Sequence, residues 1–479
     1  MVIKDCFMQK LQTPAQIYII KADMRDFIVK KYALTEALLL AIFAAGLIVS
    51  ELIVVSRSHI KLSPPSEAPA SGFFVSMPQG RGWQTSPTWK FAQNSYYRTS
   101  FQKTSRGRST TIITAAYLIA AGRLEPMDYF KNRAAQMDGH FSTPRIIKGH
   151  DVVTQAAMIT SNQDGANIFC GIAALAGGRN VMLEVVDTTG DAEYGWNIVN
   201  SIAGSFTFKG NELLQNGQKL IASMRSKGLN RLLGQPLQEN YFLISFDGRT
   251  DGFKADIYTH TQTGTDANVL MISSYYLNRR GGEESILQTN ERFDRFVLSS
   301  SMLYADGSRK NMLELQLAED GTMSIKRQGR SYSEAYTPGP AAISELLFEA
   351  VFREMLADGI KQAMLDFIGS EGKIVPSGVE IKSQSADPNS ASAYIVEIRY
   401  FDNTNTLEKI YFNTDRQVEK SMISDDTSYT LNSCGKKEVL NEFPQWSDYI
   451  INLERMLKED TIDGDKKPRR IVSNVRTSI

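Results

Sequence analysis

The stretch Glu239-Asn-Tyr-Phe-Leu-Ile-Ser-Phe-Asp-Gly248, followed by Phe253-Lys-Ala-Asp-Ile-Tyr-Thr-His-Thr261, sets the fold of the larger part of this chain. Two runs rich in aromatic and β-branched residues flank an Asp-Gly pair. That dipeptide tolerates the positive φ values of a tight hairpin turn, so the pattern predicts two antiparallel strands. The same grammar recurs downstream. Strand candidates at 268–277, 293–304, 312–317, 323–328 and 331–336 are punctuated by Thr263-Gly264, Gly281-Gly282, Asp306-Gly307 and Asp320-Gly321. One helix interrupts them. Pro338 and Pro340 stand at its start, Ile343, Leu346, Leu347, Ala350, Val351 and Met355 form its apolar stripe, and Gly359 stops it. Further strands are expected at 363–368, 379–383, 392–401, 407–413 and 418–423. Residues 237–435 therefore read as a large antiparallel sheet that curls into a half-barrel over the inserted helix.

Working towards the N-terminus, residues 210–236 hold a connecting helix with Leu213, Leu214, Leu220, Ile221 and Met224 on one side. Residues 73–209 read as a compact α/β domain. It opens on Phe73-Phe-Val-Ser-Met77, passes a Gly82-Trp83 turn and continues in a β-rich segment at 110–119. Pro126 opens a helix to about Met137, strands follow at 145–161 and 167–176, and Gly177-Gly-Arg-Asn180 turns the chain into 181–186. A last helix spans about 191–203, with Gly204 as its cap. At the other end, residues 436–479 contain one helix near 446–458 and a polar tail through Lys466-Lys-Pro-Arg-Arg470. The fold class is α+β: a membrane-anchored chain with a small α/β sandwich domain, then a large antiparallel half-barrel with an inserted helix.

The order of elements in residues 73–209 resembles the PsbP/Mog1/DcrB-like fold. The resemblance implies an exported accessory domain that binds or helps assemble a larger complex, and it carries over no catalytic residue. The meander with a late helix at 237–435 resembles LolA/LolB-like lipoprotein carriers. That resemblance implies a concave apolar face for an acyl chain or apolar peptide. The simpler expectation is that the helix itself fills the face.

Residues 33–55 are apolar apart from Thr35, Glu36, Ser50 and Glu51, a length of helix sufficient to cross a hydrocarbon layer of roughly 30 Å. No small-x-small cleavage pattern follows, so an uncleaved single-pass anchor is expected. Lys4, Lys10, Lys21, Arg25, Lys30 and Lys31 precede it, whereas the following segment carries Arg57, His59 and Lys61. By the positive-inside rule residues 1–32 stay cytoplasmic and the chain from about 57 is periplasmic, with 56–72 a Pro/Ser spacer.

With 53 basic and 53 acidic residues the net charge is zero, and no charge bias points to nucleic acid. His59, His140, His150 and His260 are too scattered for a metal site. Cys170 and Cys434 share the exported side, either bridged or, as the simpler reading, two separate thiols. No Gly-x-Ser-x-Gly, phosphate-binding loop, His-Glu-x-x-His or Cys-x-x-Cys motif occurs. Glu283-Glu284 and Asp425-Asp426 read as solvated turns. The expected role is that of a non-enzymatic, membrane-anchored periplasmic protein, without cofactor or metal, that binds an envelope protein or assists assembly of an envelope complex; the alternatives are a lipid or lipoprotein chaperone that takes an acyl chain into the half-barrel, and an enzyme of an unrecognised class. The most site-like residues are Arg279 and Arg280, two guanidiniums beside a flexible turn suited to a carboxylate or phosphate. A charged turn that blocks edge pairing accounts for them equally. Trp83 and Trp89 are candidates for a partner-binding edge on the first domain.

Overall fold

The chain divides into two units, Met1–Ile60 and Lys61–Ile479. The computed structural model describes residues 43–45, 60–83, 88–92, 96–105, 107–119, 125–161, 167–228, 237–263, 267–330, 333–384, 393–402, 406–414, 416–424 and 429–451. Of the first unit this covers little more than residues 43–45, which are helical. Most of the expected anchor, the N-terminal arm, Asp425-Asp426 and the tail beyond 451 lie outside the described residues. Among the described residues no helix is long and apolar enough to cross a membrane.

The second unit begins with β1 (Ser66–Glu67) and β2 (Phe73–Val75), which pair with β11 (Thr207–Phe208) in a three-stranded sheet. Between them lies an eight-stranded antiparallel sheet. Its strands are β3 (Lys90–Ala92), β4 (Tyr96–Ser105), β5 (Arg108–Leu118), β6 (Gly139–Phe141), β7 (Arg145–Lys148), β8 (Val153–Ser161), β9 (Asn167–Leu175) and β10 (Arg179–Asp187). Helix α1 (Pro126–Gln136) packs Phe130 and Ala134 against Ala157, Ile159 and Ile168. Helix α2 (Ala192–Gly204) is capped by Asp191, whose side chain accepts from the Tyr194 amide, and buries Trp196, Ile198, Val199 and Ile202. Ser205, not Gly204, is the capping residue at its end. The expected strand 145–161 is two strands, broken between Lys148 and Val153, because Gly149 is hemmed in by the carbonyls of Phe206, Ala203 and Val152.

Helix α3 (Glu212–Lys227) leads into a 15-stranded sheet. A meander runs through β12 (Leu237–Phe246), β13 (Arg249–Thr263), β14 (Ala267–Asn278), β15 (Gly281–Thr289), β16 (Phe296–Tyr304), β17 (Arg309–Leu317), β18 (Met323–Arg327) and β19 (Ser333–Tyr336). Then come β20 (Ala342–Ser344), a 3-10 turn at Glu345–Leu347, helix α4 (Phe348–Ala357) and β21 (Gln362–Ile368). Among the described residues β20 and β21 are the one parallel pair in this sheet, and α4 supplies the crossover that parallel strands need. A second meander follows: β22 (Ile374–Gln384), β23 (Tyr394–Tyr400), β24 (Leu407–Phe412), β25 (Val418–Ser424) and β26 (Tyr429–Cys434). β26 pairs with β12, so the two meanders form one continuous sheet. Helix α5 (Lys436–Glu442), a 3-10 turn at Pro444–Trp446 and helical residues 447–451 close the described chain.

Several sequence expectations change here. The inserted helix starts at Phe348, because Ala342–Ser344 pair with β21 instead of entering the helix. Gly281-Gly282 is not the turn. The turn is Arg279-Arg280, and both glycines begin β15, where a Cβ at Gly282 would lie 1.8 Å from the Tyr276 carbonyl oxygen. Glu283 and Glu284 are strand residues. The C-terminal helix expected near 446–458 is helical over 447–451, as far as it is described, and a separate short helix, Lys436–Glu442, precedes it. Cys170 and Cys434 are separate free thiols, pushed up by burial to about 12 and about 11.

The two expected domains are packed together. Arg179 on β10 donates from Nη2 to both carboxylate oxygens of Asp366 on β21 at 2.8 and 2.6 Å, and from Nη1 to the Ile119 carbonyl at 2.6 Å. Arg179 is 3 % exposed and Asp366 is fully buried. The Tyr97 hydroxyl donates to the Phe401 carbonyl, and α3 lies on β21 with Gly217 against the Met364 carbonyl. Breaking one partner of a buried pair strands a charge. Arg179→Met alone should cost about 3–5 kcal/mol in urea unfolding, while Arg179→Met with Asp366→Leu should recover most of that loss.

Candidate functional site

The two faces of the large sheet differ in chemistry, and strand alternation sorts them. On β13, Phe253, Ala255 and Ile257 face one side; Lys254, Asp256 and Tyr258 face the other. The first set packs with Tyr241, Tyr275, Leu277, Ile286 and Leu303 beneath Val439, Phe443, Trp446 and Ile450 of the C-terminal segment. The Trp446 indole donates to the Asn278 carbonyl at 2.8 Å. Glu284 lies on this covered face, 2 % exposed, bound by Tyr449 at 2.8 Å and Arg309 at 2.6 Å.

The opposite face is the inside of the curl. Burial pushes the Tyr276 phenol up most; Lys254 opposes, and Asp256, Glu408 and Glu345 push it further. Burial likewise pushes Tyr400 up, with Glu408, Glu345 and Tyr276 adding to the shift. β14 and β24 are five strand steps apart, roughly 24 Å along a sheet. Their side chains act on one another because the sheet folds over. Arg327 on β18 also donates to the Glu371 carbonyl in the β21–β22 turn at 2.7 Å, and Gly372 there abuts Ile325.

Strand register orders the inner face into rows. In the outermost row Lys254 stands opposite Tyr276, Tyr276 opposite Glu283, and Glu283 opposite Met302. The next row is Asp256, Ser274, Ser285 and Ser300. The third is Tyr258, Ile272, Leu287, Leu298, Leu315 and Ile325. Polarity thus falls from charged, through hydroxyl, to aliphatic. The third row is almost entirely buried, whereas Tyr276 keeps 45 % of its surface and the Lys254 side chain about 20 %. Helix α4 fills the opposite half, with Phe352 stacked on Phe412 at 3.8 Å and Phe348 against Phe367 at 6.0 Å. The expected filling of the concavity by the helix is therefore met in the apolar part, and a polar mouth remains accessible.

Hydrogen bonds hold the mouth. Lys254 pairs with Asp256 at 2.7 Å, and Ser274 donates to Asp256 at 2.6 Å. Ser300 donates to Glu283 at 3.0 Å. Glu408 accepts from Tyr400 at 2.9 Å and from Ser421 at 2.6 Å. Glu345 accepts from the Ser370 amide at 2.9 Å, and Glu349 accepts from Asn240 at 3.0 Å. Burial pulls the Lys254 ammonium down, but Asp256 and Tyr276 outweigh it and the net direction is up. Burial raises Glu345 to about 7 against the Ser370 amide and Lys254. Burial and the Asp256 carboxylate raise Glu349 to about 7, against Arg353 and Lys254. Among the described residues no group of three His, Cys, Asp or Glu side chains could hold a metal ion.

The residues singled out from sequence fall elsewhere. Arg279 and Arg280 form the β14–β15 turn, at the rim just beyond the mouth. With Asp247, Arg249, Asp251 and Asn278 they line an open cleft of about 900 Å³. Arg279 also reaches Glu442 at 3.7 Å. Trp83 and Trp89 belong to the first domain. Trp83 stacks on Phe101 at 5.8 Å and stands beneath the Lys103 ammonium at 5.5 Å, and Trp89 is half-buried beside β3. The mouth residues were missed because strands of both meanders, the 3-10 turn and α4 each supply some of them. The visible signal was the polar alternation Lys254, Asp256, Tyr258.

No family model matches this sequence, and no curated protein matches it. Its β-rich fold, a large antiparallel sheet with few helices, has loose likenesses among solved structures. A β-barrel-like protein of the domain of unknown function DUF1849 from Brucella abortus is 11 % identical, with 41 % of this chain and 95 % of that chain covered and a TM-score of 0.31. An outer membrane lipoprotein-sorting protein domain from Vibrio parahaemolyticus is 10 % identical, covering 46 % and 91 %, with a TM-score of 0.15. A DUF1329 family protein from Desulfovibrio piger is 9 % identical, covering 47 % and 92 %, with a TM-score of 0.11. All three scores lie below the level at which a shared fold is established.

A carboxyl that ionises near 4.5 when unfolded and near 7 when folded binds its proton more tightly in the folded state. Its stabilising effect is present below about 4.5 and is lost as pH rises towards 7. Glu349 alone should remove about 3 kcal/mol of stability across that window. Glu349→Gln should flatten the pH dependence of urea unfolding between pH 5 and 8 and raise stability at the alkaline end.

Proposed function

We propose that this chain is a non-enzymatic, membrane-tethered carrier that takes an amphiphile into its curled sheet. The observation that carries the proposal is the ordered polarity of the inner face: charged residues at the mouth, serines next, aliphatic residues at the floor. A ligand with a polar head and an apolar tail matches that order, with the tail taking space that α4 now occupies. The aromatic contacts of Phe348 and Phe352 are apolar and non-directional, so a tail can replace them at modest cost. The likeness of 237–435 to LolA/LolB-like carriers agrees with this reading. To the first domain we assign the supporting role that its PsbP/Mog1/DcrB-like resemblance implies, as a buttress joined through Arg179 and α3.

The run at 33–55 places the carrier, in this proposal, on the inner membrane with its folded part in the periplasm. Alkaline extraction should leave the full chain in the membrane fraction and release a chain lacking 33–55. A second role, docking an envelope protein, is favoured by one feature. Strand β7 lies at a sheet margin and exposes Ile146 (68 %), with Val153 (55 %) beside it on β8.

Full-length protein extracted from membranes should carry lipid in native mass spectrometry and take up a fluorescent uncharged acyl ester. Leu298→Phe overfills the floor at a cost of about 1–3 kcal/mol and should abolish uptake while circular dichroism stays native. Uptake unchanged in that variant, or absent from the wild type together with any bound lipid, overturns the carrier reading.

A further inference from the structure

We infer that the mouth receives a protonated primary amine as the head group of the ligand. The inference rests on the carrier reading for the ligand's tail, and on the mouth alone for its head. Inside the rim that Arg249, Arg279 and Arg280 line, five carboxyls act, Asp256, Glu283, Glu345, Glu349 and Glu408, against two cations, Lys254 and Arg353. Lys254 is already committed to Asp256 at 2.7 Å. A phosphate or carboxylate head needs converging guanidinium or ammonium donors, and the mouth presents the reverse.

Two further observations point to a donor that is not supplied by the chain. Glu349 is 7 % exposed, and while one carboxyl oxygen accepts from Asn240, the other is buried without a hydrogen-bond donor among the described residues. A buried acceptor in that state gains from any N–H that reaches it. Tyr276 is 45 % exposed although Ser274, Tyr275 and Leu277 beside it are buried. An exposed aromatic face among carboxylates attracts an ammonium through its quadrupole. The geometry already accepts one: the Lys254 ammonium sits 5.2 Å from the centre of that ring. An incoming amine would meet the carboxyl of Glu345 on the 3-10 turn or of Glu349 in the first turn of α4, with Tyr276 of β14 within electrostatic reach of Glu345. Its alkyl portion would then run past the serine row towards Ile272, Leu287 and Leu298.

The test uses the full chain in a neutral detergent and short ligands that stay monomeric: hexylamine, hexanol, hexanoate and methylamine, titrated by calorimetry at constant ionic strength. Hexylamine should bind at least tenfold more tightly than hexanol, and hexanoate more weakly than either. Glu345→Gln and Glu283→Gln, each of which keeps an acceptor for Ser370 or Ser300, should shrink the preference for hexylamine over hexanol at least threefold. Tyr276→Leu should do the same without changing hexanol affinity. Equal affinity for all hexyl ligands overturns the amine head while leaving the carrier reading standing. Binding of methylamine as strong as hexylamine, with no hexanol binding, supports the amine site and overturns the carrier reading. Tighter binding of hexanoate than hexylamine, or an unchanged preference in all three variants, overturns the inference.

Discussion

The pairing of β12 with β26 is the constraint on which the remaining architecture depends. Six residue pairs, from Tyr241 with Cys434 to Phe246 with Tyr429, join the first strand of the large sheet to its last. Without them the two meanders would each expose an edge strand, a liability for aggregation. With them the sheet is continuous and curls, so that Glu408 and Tyr400 of the second meander face Tyr276 of the first. The polar mouth exists only because residues more than a hundred positions apart in sequence are brought opposite one another by this seam.

A sheet this wide must bury apolar surface on both faces, and the chain uses a different cover for each. Helix α4 lies on the inner face, with Phe348 and Phe352 against Phe367 and Phe412. The C-terminal segment lies on the outer face, with Phe443 against Phe253 and Tyr449 against Tyr275. The first domain and α3 cover β21, where Arg179 meets Asp366. A buried ion pair of this kind adds little net stability, because desolvation offsets most of the Coulomb gain. Surface pairs such as Lys382 with Glu380 at 2.6 Å also add little.

At the mouth the electrostatic balance runs the other way. Serine, tyrosine, asparagine, one backbone amide and Lys254 engage most of the carboxyl oxygens, so the cluster is tolerated with few cations. The remaining imbalance appears as the upward shift of Glu345 and Glu349, both driven first by burial. A folded protein keeps such groups at a cost to stability, and sites that bind ligands are where that cost is commonly found.

How much was legible can be judged on particular residues. The Asp247-Gly248, Asp306-Gly307 and Asp320-Gly321 turns, the helices opening at Pro126 and Asn211, and most strands of both meanders were readable, because turn chemistry and periodicity are local. β15 was lost, because Gly281 and Gly282 serve close approach between strands and not a turn. The mouth was lost for a different reason. On β13 the apolar residues Phe253, Ala255 and Ile257 suggest the inside of a barrel, yet they face the C-terminal segment, and Lys254 and Asp256 face inward. Alternation determines that two faces differ; it cannot say which one the sheet curls around. The sequence by itself determined the strands, their turns and the inserted helix, since each follows from local backbone preference and side-chain period. Only the tertiary structure decided the direction of curl, the cover over each face and the meeting of five carboxyls at one mouth. Those depend on the β12–β26 seam and on packing between elements that no local pattern encodes.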